Sequence, residues 1–145
     1  MRVAYKPFPT TPHPAFPKQD TVWWPVLNLV IFYRHNRSRR IEAIVDSGSQ
    51  QCLFHAGIGE ALGMNVDDGV EGPLGGVIGG ATGKVYYHKI RLLVAGESIE
   101  IMAGFSHQLS VPGLLGQIGF FDNFIVTFDW TPHPPCLDVQ RIQRN

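Results

Sequence analysis

Proline and glycine interrupt this chain so often that little of it has room for a helix, and this constrains the fold more than any other feature. Five of the eleven prolines fall in the first 20 residues. Their fixed φ and missing N–H oppose both helix and inner strand, so residues 1–21 read as an extended Pro-rich N-terminal arm. A second cluster, "TPHPPC" at 131–136, ends the compact part and leaves a mostly polar C-terminal tail, 131–145. Between residues 69 and 83 seven of fifteen positions are glycine, which is not the composition of a stiff packed element.

The segments left between these breaks have strand character. "VWWPVLNLVIFY" (22–33) and "RIEAIV" (40–45) are β-branched and aromatic and form a plausible hairpin around the charged "RHNRSR". "KVYYHKIRLLVAG" (84–96) and "ESIEIMAGF" (97–105) read as a second hairpin turned at Ala95, Gly96 and Glu97, with Ile99 and Ile101 on one face and Ser98 and Glu100 on the other. "FIVTFDW" (124–130) is a final strand. Helical character is confined to "HAGIGEALGM" (55–64), stopped by Gly63, and to a short helix through Ile118–Asn123. Many short strands with little helix imply a single all-β barrel or sandwich-like body at 22–130.

Composition narrows the function classes. Twelve Lys+Arg balance twelve Asp+Glu, so no net charge points to nucleic acid or an anionic membrane. Arg34, Arg37 and Arg39 in the first hairpin loop read as solvated side chains. Two cysteines do not make a disulfide framework, and no stretch approaches the ~18 apolar residues of a membrane span or forms a signal peptide, so the expectation is a cytoplasmic protein. Six histidines lack metal-ligand spacing, so neither a metal nor a cofactor is expected. "GGVIGG" precedes strand-like residues rather than a helix, unlike a dinucleotide fingerprint.

One stretch stands apart. In "IVDSGSQQCLF" (44–54) an apolar run ends on a carboxylate, Asp46. Asp, Ser and Gly are ordinary turn formers, so alone the tripeptide says little. Taken with the glycine-rich "GGVIGGATGKVYY" (75–87) and the apolar "GLLG" (113–116), in that order, it resembles the retropepsin-like aspartic proteases, single-domain relatives of pepsin. The resemblance covers residues 25–130.

The resemblance implies a closed barrel with one short helix near the C-terminus and a glycine-rich flap hairpin. It also implies an aspartic endopeptidase in which two Asp46 carboxylates, one from each chain of a homodimer, activate water to attack a polypeptide substrate. Two carboxylates that close cannot both ionise, so one keeps a proton while the other acts as base, as in the aspartic-protease dyad. Only one D-S/T-G is present, hence two chains. Ser47 would lock the opposing loops and Gly48 permit their approach. Ser49 would donate to Asp46 and give an acidic optimum, about pH 3 to 6. Ile78, Gly79, Gly80, Ala81, Thr82 and Gly83 would form the flap, and Val77, Ile78, Val111 and Leu114 would line the cleft. The competing reading is a catalytically inactive module of the same fold that serves dimerisation or peptide binding.

Overall fold

The computed structural model describes residues 1–75 and 83–145. In chain order the strands are β1 (Arg2–Ala4), β2 (Lys6–Pro9), β3 (Thr21–Trp24), β4 (Val26–Tyr33), β5 (Asn36–Arg37), β6 (Ile41–Val45) and β7 (Leu53–His55). After a helix, α1 (Ala56–Ala61), and a 3-10 turn (Val66–Asp68) come β8 (Val70–Pro73), β9 (Lys84–Val94), β10 (Glu97–Ser106), β11 (Gly113–Leu115), β12 (Phe124–Asp129) and β13 (Cys136–Arg141).

Six strands close on themselves. The hydrogen-bonded order β4-β6-β11-β7-β10-β9 is completed by pairing of β9 back to β4, Leu29 opposite Val94 and Ile31 opposite Leu92. Period-2 side chains explain what fills the ring. In β6 Ile41, Ala43 and Val45 point inward, in β10 Ile99, Ile101 and Ala103 do, and Phe54, Phe105 and Phe120 complete a core without solvent exposure. The Phe54 and Phe105 rings lie 5.9 Å apart. Closure also removes the free edges that an open sheet would present.

Local chemistry explains the joints. Ala95 and Gly96 both take positive φ, 52° and 74°, giving the two-residue turn whose twist matches the β9–β10 hairpin. His55 caps α1 by accepting the Gly57 N–H at Nδ1, and Gly63, at φ 78°, stops it as expected.

Three sequence expectations change. "VWWPVLNLVIFY" is not one strand: Pro25, which lacks an N–H, separates β3 from β4, and Trp23 and Trp24 pair with β2 of the N-terminal arm instead. The segment read as a tail contains β13, which lies between β1 and β12 in a separate three-stranded sheet that joins both chain ends. The expected C-terminal helix is absent; residues 117–123 form turns. There the Phe121 and Asp122 N–H groups reach back five residues to Gly116 and Gln117, and Gly119 at φ 106° donates to the Asp122 carboxylate, so no helical ladder starts. Among the described residues the α-helix stands instead after β7.

Candidate active site

Asp46 is the first residue beyond β6, and the strand that positions it comes from 70 residues away in sequence. β11 lies parallel to β6, with Leu114 opposite Ile44 and Leu115 opposite Val45, and antiparallel to β7. The Asp46 N–H donates to the Leu115 carbonyl at 3.0 Å, extending this parallel ladder to the aspartate itself. The loop 46–52 therefore leaves β6, passes around the end of β11 and re-enters as β7.

The residues after β11 pin that loop. The Gln117 N–H donates to Ser49 O (2.9 Å), its side-chain amide to Ser47 O (2.7 Å), and the Ile118 N–H to Gln50 O (2.8 Å). This close approach demands Gly116: a Cβ there would lie 2.3 Å from Gln51 O and 2.6 Å from Ser49 O. Within the loop, the Gly48 N–H donates to the Asp46 carboxylate at 2.9 Å, and a Cβ on Gly48 would crowd the same oxygen at 3.2 Å.

Ser49 departs from expectation. Its hydroxyl donates to Gln51 O at 2.8 Å, a partner two residues along the same loop, so it braces the turn rather than the Asp46 carboxylate. The acidic optimum inferred from a Ser49–Asp46 contact loses its structural basis.

Different residues of the half-exposed Asp46 loop line two grooves. Val111 and Leu114 share the first with Asp46, Ile44 and Trp24. Gly48 and Ser49 line the second with Leu74, Val85 and Tyr87, at the root of the β8–β9 hairpin. That hairpin pairs as far as Pro73 opposite Lys84, with the Leu74 N–H on Gly83 O. Val77, Ile78, Gly79, Gly80, Ala81 and Thr82 lie outside the described residues; Gly83 packs within 3.4 Å of Leu74 and Gln108 side-chain positions were it given a Cβ.

No second carboxylate lines the Asp46 groove among the described residues. Asp129 and Asp138 pair with Arg2, Asp122 accepts the Gly119 N–H, and Asp68 accepts from Asn65. Cys52, beside the loop, is fully buried, and burial pushes its thiol up to about 12, the environment of an inert core residue. Sequence reasoning missed Gln117 and Trp24. Gln117 sits directly after "LLG", where only a preceding glycine hinted at close backbone contact.

No protein-family profile matches the chain, and no curated protein matches it in sequence. Solved structures do match. One is the EIAV protease complexed with the inhibitor HBY-793 (15% identity, 65% of this chain and 82% of that one, TM-score 0.49). A second is the retroviral protease-like domain of Ddi1 from Leishmania major (17% identity, 81% of this chain and 90% of that one, TM-score 0.54). With six strands closed as a barrel and β11 inserted between β6 and β7, the chain has the retropepsin-like fold.

Proposed function

We propose that this protein is an aspartic endopeptidase whose active unit is a symmetric homodimer. The observation that carries the reading is the placement of Asp46: a carboxylate lining one groove, on a loop whose Gly48 and Ser49 line a second and which is held by bonds from β11 and Gln117. Such bracing is what a reacting group needs if it is to meet its partner in fixed geometry. Because no other aspartate opens a D-S/T-G and none lines the Asp46 groove among the described residues, the second carboxylate in this reading comes from a second Asp46.

In the dimer one Asp46 carboxylate is protonated and the other ionised, since two charges that close repel. The ionised member takes a proton from a water shared between them. That water attacks the peptide carbonyl carbon while the protonated member donates to the carbonyl oxygen. The tetrahedral intermediate then breaks its C–N bond as the nitrogen takes up a proton, and no covalent acyl-enzyme forms. Gly48 keeps the loop bare where the two copies approach, and Ser47, exposed beside it, ties one loop to the other. In this reading Ile78–Gly83, of which only Gly83 is among the described residues, serve as the flap over the substrate.

A dimer also needs surface. Ile118, Ile125 and Phe128 are large, apolar and 40 to 57% exposed, and β12 is an open edge of the three-stranded sheet. An open apolar edge of this kind is suited to pairing with another chain.

The test compares wild type with Asp46→Asn on an extended peptide library. Cleavage by wild type, reduced at least about a thousandfold in Asp46→Asn, supports the protease. Peptide binding without cleavage by either protein supports the inactive module instead. Sedimentation of the active protein should give about twice 16.1 kDa; an active monomer would refute the shared site.

A further inference from the structure

The arginines of the "RHNRSR" loop find a setting in the fold that their sequence does not reveal. Residues 37–39 border a cavity of about 810 Å³, on the far side of the 107–112 loop from Asp46. Arg37, Arg39 and His55 stand at its wall, and Ile41, Ile58 and Leu62 form its apolar floor. No carboxylate lines it. Among the described residues neither Arg37 nor Arg39 makes an ion pair, although Arg2, Lys6, Lys84 and Lys89 all do.

The cavity adjoins the Asp46 groove across Ser110 and Val111. Ser110 and Val111 line both, so a chain lying against Asp46 and passing over Val111 enters the space beneath Arg37 and Arg39.

We propose that this cavity is an exosite for acidic side chains of the polypeptide substrate, displaced from the scissile bond by several residues. The inference rests on the reading of the Asp46 groove as a polypeptide cleft. Two fork-shaped guanidiniums without partners match carboxylates, and the apolar floor takes the methylenes of Glu or a neighbouring aliphatic side chain. A nucleic acid is the poorer fit: the wall carries two arginines rather than a basic stripe, the floor offers no aromatic ring for base stacking, and the chain has no net positive charge. Two-fold symmetry places one such cavity beyond each end of the cleft, so acidic residues count on either flank of the cleaved bond.

The test uses full-length Asp46→Asn protein and fluorescein-labelled peptides with one apolar core, flanked on both sides by Glu-Glu or by Gln-Gln. Fluorescence anisotropy at low salt should show the Glu peptide binding about tenfold tighter, the combined effect of exposed charge pairs contributing up to about fivefold each. Arg37→Gln/Arg39→Gln should abolish the preference while leaving the Gln peptide's affinity unchanged, and added salt should shrink it. Equal binding of the two peptides, survival of the preference in the double variant, no binding of either peptide, or tighter binding of a single-stranded oligonucleotide of equal charge would each overturn the exosite. Cleavage by wild type is scored separately. A Glu preference without cleavage sinks the protease and keeps the exosite, whereas cleavage indifferent to Glu does the reverse.

Discussion

Replacing Gly116 with alanine tests the claim that the Asp46 loop is held by its packing against the residues after β11. The added Cβ would sit 2.3 Å from Gln51 O and 2.6 Å from Ser49 O, both backbone atoms. Cβ atoms essentially never come within 3.0 Å of a heavy atom outside their own residue and its chain neighbours, so the two segments must separate by at least about 0.7 Å. No flexible side chain can absorb that shift. The contacts at risk are the bonds from Gln117 N–H to Ser49 O and from Ile118 N–H to Gln50 O, at 2.9 and 2.8 Å. Overpacking costs about 1–3 kcal/mol and a lost hydrogen bond about 0.5–1.5 kcal/mol, so the total is on the order of 2–4 kcal/mol. Urea unfolding at equilibrium should report this as a lower midpoint with an unchanged slope. Gly75→Ala is the control, because a Cβ there meets nothing within 4 Å; it should change stability by less than about 1 kcal/mol. If Gly116→Ala unfolds within about 0.5 kcal/mol of wild type, the close approach is not a constraint. If it is destabilised yet cleaves peptide normally, the bracing is structural only and the link from β11 to the position of Asp46 is wrong.

Other consequences can be checked directly. Cys52 is fully buried with its thiol pushed up, while Cys136 is half-buried, so Ellman's reagent should titrate one thiol per native chain within minutes and the second only on unfolding; two fast thiols would contradict the core packing. The Thr131 hydroxyl and N–H, together with Arg2, hold the Asp129 carboxyl down at about 2, below its ordinary 3.8. A depressed value means that the stabilisation is complete above 3.8 and disappears as pH falls through about 2. The melting-temperature deficit of Asp129→Asn should therefore be largest near neutral pH and shrink below about pH 4; a deficit constant across that range would place the effect in packing rather than charge.

How much of this was legible in the chain depended on whether the information was local. The β9–β10 hairpin was readable because Ala95-Gly96 follows the apolar run Leu92–Val94 and precedes the alternation Ser98, Ile99, Glu100, Ile101. Helix α1 was readable because Gly63 stops a short run of Ala, Glu and Leu. The alternation Leu137, Asp138, Val139, Gln140 was equally present, and it fits β13 with Leu137 and Val139 buried, but the neighbouring prolines obscured it. What no local pattern carries is partnership across long separations. "GLL" is an apolar run that fits any core strand, and nothing in it specifies insertion between β6 and β7. The Ile118–Asn123 segment has the apolar content of a helix, yet the Gly119 turn and its bond to Asp122 are set by the need to bring Gln117 back to Ser47 and Ser49. Ser49 makes the same point in reverse. A hydroxyl three residues after an aspartate has two acceptors within reach, the carboxylate and the Gln51 carbonyl, and the loop curvature imposed by β11 decides for the carbonyl. The candidate carboxylate thus stands in one tripeptide, whereas its placement rests on residues about 70 positions away.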